Sequence, residues 1–151
     1  MAISSSTMCT SFKKELLTGT HNFTNGANTF KLALYALSSG GKSSTTASLS
    51  GSTTAFTTTG EVASSGTYVT GGLALTNVTP TSSGTVGFTD FANREYTSAT
   101  ITAAGALIYN SSASNAAVCV LNFGGNKTST SGTFTIAFPT PNQSSAIIRI
   151  E

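Results

Sequence analysis

Few side chains in this sequence could do chemistry, and their spacing keeps them apart. There is one histidine, His21, two cysteines, Cys9 and Cys119, and five carboxylates, at Glu15, Glu61, Asp90, Glu95 and Glu151. A metal centre needs three or four such ligands to converge. His21 has no second histidine to share an ion, and a hydrogen bond fixing the corner after the first helix is its simpler role. Asp90 and Glu95 could in principle serve as the acid and base of glycoside hydrolysis. Arg94 stands between them, however, and an ion pair of Arg94 with either carboxylate would brace that loop. A Ser-His-Asp triad has its residue types present, since Asp90 is the one aspartate, but no G-x-S-x-G elbow presents a serine. Gly124-Gly125-Asn126-Lys127-Thr128 ends like a phosphate loop, yet it lacks a glycine directly before the lysine and no helical pattern follows. It reads as a hairpin turn. No catalytic, cofactor-binding or metal-ligating residues emerge, and the chain reads as a non-enzyme.

The surrounding composition points to sheet surface. Ser and Thr make up 51 of the 151 residues, and only 12 residues carry a charge. Threonine suits a strand while leaving a neutral hydroxyl on the outer face, and such a face packs against another subunit without the desolvation cost of charges. The seven basic residues are scattered, with Lys13-Lys14 the one adjacent pair. They form no dense stripe for phosphate neutralisation, so nucleic acid is not expected as a partner. No stretch approaches the roughly 20 apolar residues of a membrane helix, and the first ten residues lack the basic start and apolar run of a secretory signal. The five N-x-[ST] matches, at Asn22, Asn77, Asn110, Asn126 and Asn142, are discounted, because a chain so rich in Ser and Thr yields them by chance and no secretory signal is visible. Cys9 and Cys119 are expected as free thiols, with Cys119 packed as a small hydrophobe among Val118, Val120 and Leu121.

These residues must be positioned by a short helix and a set of strands. Phe12 and Leu16 are spaced for one helix face over residues 11–17, with Ser11 as cap and Gly19 as the terminating glycine. So short a helix must dock its Phe12, Leu16 and Leu17 edge on its own sheet or on a neighbour. From residue 29 the period changes to two, with Phe30, Leu32 and Leu34 on one face against Lys31, Ala33 and Tyr35 on the other, which predicts a strand with one buried face. Residues 38–59 are nearly all Ser, Thr, Gly and Ala, with Leu49 and Phe56 the large apolar exceptions. They read as a long excursion, or as a strand for a neighbour. Further strands are expected over 68–75, 85–91, 97–103, 106–109, 117–123, 133–138 and 146–150, separated mostly by glycines, and a strand through Leu75 should end before Pro80. The pattern predicts an all-β fold, an antiparallel two-sheet, jelly-roll-like sandwich over residues 28–151, preceded by an arm of residues 1–27 that carries the helix.

Several phrases carry a resemblance: Ser-Phe-Lys-Lys-Glu-Leu-Leu at 11–17, Thr-Gly-Thr-His-Asn-Phe at 18–23 and Asn-Thr-Phe-Lys-Leu-Ala-Leu-Tyr at 28–35, with Thr-Thr-Thr-Gly-Glu at 57–61 and Gly-Ala-Leu-Ile-Tyr-Asn at 105–110. Together they resemble small structural proteins of tailed bacteriophages and prophages. The resemblance implies a virion component present in many copies, made in the host cytoplasm, with no catalytic residues to carry over. The leading expectation is a capsid decoration or cement protein that binds the major capsid protein and copies of itself. A neck, tail or baseplate component is the alternative, and a β-sandwich receptor- or glycan-binding module is a further one, for which Tyr68, Tyr96 and Tyr109 are the available aromatic platforms. Assembly contacts are expected at Phe12, Leu16, Leu17, Leu49 and Phe56.

Overall fold

The computed structural model describes residue 3, residues 6–36 and residues 48–151. Two antiparallel sheets enclose one hydrophobic core in an all-β sandwich with a single short helix. The first sheet contains β1 (Thr7–Met8), β2 (Phe30–Tyr35), β3 (Leu73–Ala74), β6 (Arg94–Asn110) and β7 (Ala116–Ile136), in the order β1-β7-β6-β2-β3. The second contains β4 (Asn77–Ser83), β5 (Val86–Phe91) and β8 (Ile148–Ile150), in the order β4-β5-β8. Phe91 of the second sheet meets Phe30 of the first at 5.7 Å between ring centroids, so aromatic contacts join the two layers.

The helix α1 spans Thr10–Leu17 and docks on its own sheet. Cys9 occupies the N-cap position with extended backbone, which places Ser11 inside the first turn instead of at the cap. Gly19 adopts a positive φ of 70° just past the C-cap, and its N–H reaches Leu16 O at 3.2 Å, the closing role expected of it. Phe12 is fully buried and packs edge-on to Phe23. Residues before 28 therefore contribute Ile3, Cys9, Phe12 and Phe23 to the same core as the strands.

Strand β2 corrects the expected one-sided burial, because every residue in it except Lys31 is buried. Phe30, Leu32 and Leu34 face the sandwich interior. The other face is covered by the chain that follows: Tyr35 Oη donates to Thr57 O at 2.6 Å, and Phe56 stacks on the neighbouring Tyr109 at 4.7 Å. Of the excursion at 38–59, residues up to 47 lie outside the described residues. From residue 48 the chain is pinned to the fold by Thr10 N to Gly51 O at 2.8 Å, Ala117 N to Thr54 O at 2.9 Å and Phe56 N to Asn115 O at 3.0 Å.

Several glycines that mark strand ends in the sequence lie inside strands. The segments expected at 97–103 and 106–109 form the single strand β6, and those at 117–123 and 133–138 form the single strand β7. Gly105 sits within β6 where a Cβ would lie 2.4 Å from Leu121 O and 2.5 Å from Ile3 Cδ1, so the position needs a glycine for close approach. Between the Gly105–Asn122 and Ala103–Lys127 pairs, residues 123–126 of β7 stand opposite Ala104 alone, an excess of three. Gly124-Gly125 is thus a bulge that bends the strand, and the hairpin turn lies at residues 111–115 instead. Of the strand expected at 68–75 only Leu73–Ala74 forms a strand, and Tyr68 makes an isolated bridge to Ser65. Pro80 falls within β4, an edge strand, at the register break between Val78 and Thr81, where its missing N–H removes no ladder bond.

Candidate assembly surface

The end of α1 is held by the molecule's one recorded acid–base contact among the described residues. His21 Nε2 lies 2.8 Å from Glu15 Oε2, and His21 Nδ1 lies 3.1 Å from Asn110 Nδ2. Asn110 Oδ1 accepts from Ser112 N, which orients the amide nitrogen toward the ring. An amide nitrogen only donates, so Nδ1 accepts and Nε2 carries the proton that goes to Glu15. The ring is enclosed by Phe12 at 5.0 Å and Phe30 at 6.3 Å. His21 therefore fixes the corner between helix and strand, as its place in the sequence suggests.

With the helix anchored, its last turn turns one apolar side chain outward. Leu17 is 90% exposed, Leu16 is half-buried, and Lys13 and Lys14 on the preceding turn are exposed. Lys13 and Lys14 stand four and three residues before Leu17, so they share its side of the helix. A cleft of about 450 Å³ separates this end of α1 from the second sheet, lined by Leu16, Pro80, Phe88, Ile148 and Ile150 among others. Ile150 is itself 58% exposed, with exposed Arg149 beside it. Exposed apolar side chains with Lys13 and Lys14 beside them on the helix have the anatomy of a protein–protein contact.

Of the five residues expected at contacts, Phe12 and Leu49 are core residues and Phe56 is half-buried against Tyr109. Leu16 borders the cleft, and Leu17 alone faces solvent fully. Pro80, Phe88 and Ile150 join them only in three dimensions. The strand expected over 146–150 was the sequence signal of Ile150, and that over 85–91 the signal of Phe88.

The other candidate residues are built into the fold. Asp90 is fully buried, and its two carboxylate oxygens accept from Phe91 N at 2.8 Å and Ile147 N at 3.2 Å. The ion pair expected there is not formed: Arg94 lies over the Tyr96 ring, 5.7 Å from its centroid, and Asp90 ties the C-terminal segment to β5. Burial pushes the Asp90 carboxyl up, against the pull of the two backbone donors. Glu61 is buried too. Its Oε1 accepts from Tyr68 Oη at 2.8 Å and from Gly71 N at 2.5 Å, and Tyr68 Oη accepts from Leu34 N at 2.9 Å. That chain of bonds clamps the segment after residue 60 to β2. Burial likewise raises the Glu61 carboxyl.

The tyrosines considered as sugar platforms are core residues, with Tyr68 and Tyr96 fully buried and Tyr109 3% exposed. None presents a ring face on which a sugar could stack. Cys9 and Cys119 are buried free thiols, and burial raises both, Cys9 to about 11. Among the described residues no three His, Cys, Asp or Glu side chains gather as a metal site, and no helix is long and apolar enough to cross a membrane. No protein-family model, curated protein or solved structure matches the chain.

Proposed function

We propose that this protein is a structural component of a bacteriophage particle, a decoration or cement protein that binds capsomers through the end of α1 and associates with copies of itself. The observation that carries the reading is Leu17, 90% exposed on a helix whose end is held by a buried histidine. The helix backbone beneath Leu17 is already fixed, so docking there orders little more than the side chain itself, and a partner would cover its exposed apolar surface. Lys13 and Lys14 on its side of the helix favour an acidic partner surface. The phrases that resemble tailed-phage structural proteins supply the setting, and the uncharged Ser and Thr of the outer strand faces suit repeated packing.

Quantitative mass spectrometry of purified particles tests the placement. A copy number comparable to the major capsid protein is expected, a far smaller one moves the protein to the neck or tail, and absence from particles overturns the virion reading. Leu17→Asp tests the surface. Because Leu17 makes little contact within its own fold, the variant should keep the wild-type circular dichroism and melting temperature and lose binding to undecorated capsids. Undiminished binding would remove the helix end from the interface.

A further inference from the structure

We infer that the outer edge of β7 over Gly132–Ile136 pairs antiparallel with the same edge of a second copy, closing a two-fold dimer. The inference deepens the self-association in the proposed function by naming its surface. At one end the first sheet has five strands. At the other only Arg94–Ala103 of β6 and Lys127–Ile136 of β7 continue, paired with each other. The chain covers the β6 side of this ribbon: Thr67 N donates to Thr97 O at 3.1 Å, Thr97 N to Thr67 Oγ1 at 2.8 Å and Thr100 N to Ser65 Oγ at 2.9 Å. On the β7 side, β1 stops at Val120, and among the described residues no strand pairs with the edge beyond it.

An open edge displays unpaired backbone donors and acceptors, so its natural occupant is another extended backbone. Proteins that stay monomeric guard such edges with lysine, proline or charged neighbours. Residues 128–136, Thr-Ser-Thr-Ser-Gly-Thr-Phe-Thr-Ile, contain no charged residue and no proline. On β7 the interruption is a bulge with Ser131 at a φ of 46° and a register break between Ala99 and Ile101; the further break between Tyr96 and Ala99 puts its extra residue on β6, at Ser98 with a φ of 51°, which leaves Gly132–Ile136 as the regular run of β7. The occupant is a copy of this chain because the run is compatible with itself. Around an axis at Phe134, Thr133 of each copy lies opposite Thr135 of the other, and no like charges meet. Beside the run lies a groove of about 790 Å³ lined by Phe123, Phe134, Ile136, Phe138 and Ile147 among others. The partner strand's Phe134 and Ile136 would extend that apolar row.

Sedimentation equilibrium of the full chain, with hydrogen exchange followed as a function of protein concentration, tests the assignment. A dimer is expected, with amides of Gly132–Ile136 exchanging more slowly as concentration rises. Thr133 and Thr135 are both exposed. The double substitution Thr133→Lys, Thr135→Lys brings like charges face to face across the axis and should weaken the dimer about tenfold or more, at unchanged circular dichroism. A wild-type monomer at about 100 μM, where even weak pairing is visible, overturns the inference. So does a dimer that the double variant leaves intact while Leu17→Asp abolishes it. The virion reading fails separately: a dimer absent from particles sinks that reading alone, and a monomer abundant in particles sinks this one alone.

Discussion

At the scale of single residues, Glu15, Glu61 and Asp90 serve as structural clamps, and the two most buried of them make stability respond to pH. Glu61 is raised by burial, against the opposing effect of its bonds from Tyr68 and Gly71, and Asp90 is raised for the same reason. A carboxyl raised in the folded state ionises first in the unfolded chain. Its contribution to stability is therefore greatest in acid and is lost as pH climbs from the ordinary carboxylate range through the folded value. Glu61→Gln keeps an acceptor for Tyr68 and Gly71 but cannot ionise. Its melting temperature should fall less steeply than the wild type's as pH rises above the ordinary carboxylate range, and an identical slope would show that Glu61 does not titrate across folding. The role of His21 was readable from its position between helix and strand. That of Asp90 was not, because its partner Ile147 N is 57 residues away in sequence.

At the scale of elements, glycine in this chain has two meanings that sequence alone does not separate. Gly105 and Gly87 both lie in strands, and neither has a positive φ. A methyl group at Gly105 would collide with the Leu121 carbonyl and Ile3, whereas one at Gly87 meets nothing within 4 Å. Gly105→Ala should destabilise the protein by about 1–3 kcal/mol in denaturant titration, and Gly87→Ala should be near neutral. Equal effects would mean that β6 and β7 do not approach closely at Gly105. The alternating residues made β2 and β5 legible. The length of β6 and β7 was not, since bulges at Ser98, Gly124-Gly125 and Ser131 let each strand continue through residues that ordinarily end one.

At the scale of the whole molecule, the segment before residue 28 cannot be separated from the sandwich. Phe12 is fully buried, and Phe12→Ala should cost about 3–5 kcal/mol of unfolding free energy, while Leu17→Ala should stay within about 0.5 kcal/mol of the wild type. A comparably small loss from Phe12→Ala would mean that the helix docks only loosely. The contrast separates adjacent turns of one short helix, with Phe12 turned to the core and Leu17 to solvent. What the sequence by itself determined was the class of fold. Alternation at a period of two, a scarcity of charge and an abundance of threonine require extended strands with apolar faces to bury, whatever their order. Phe12, Leu16 and Leu17 also demanded a surface to cover them. Only the tertiary structure decided which of them faced inward, because a helix eight residues long leaves that choice to what it docks against. It likewise decided that one side of the β6–β7 ribbon is covered and the other open, since strand pairing depends on contacts between residues far apart in the chain.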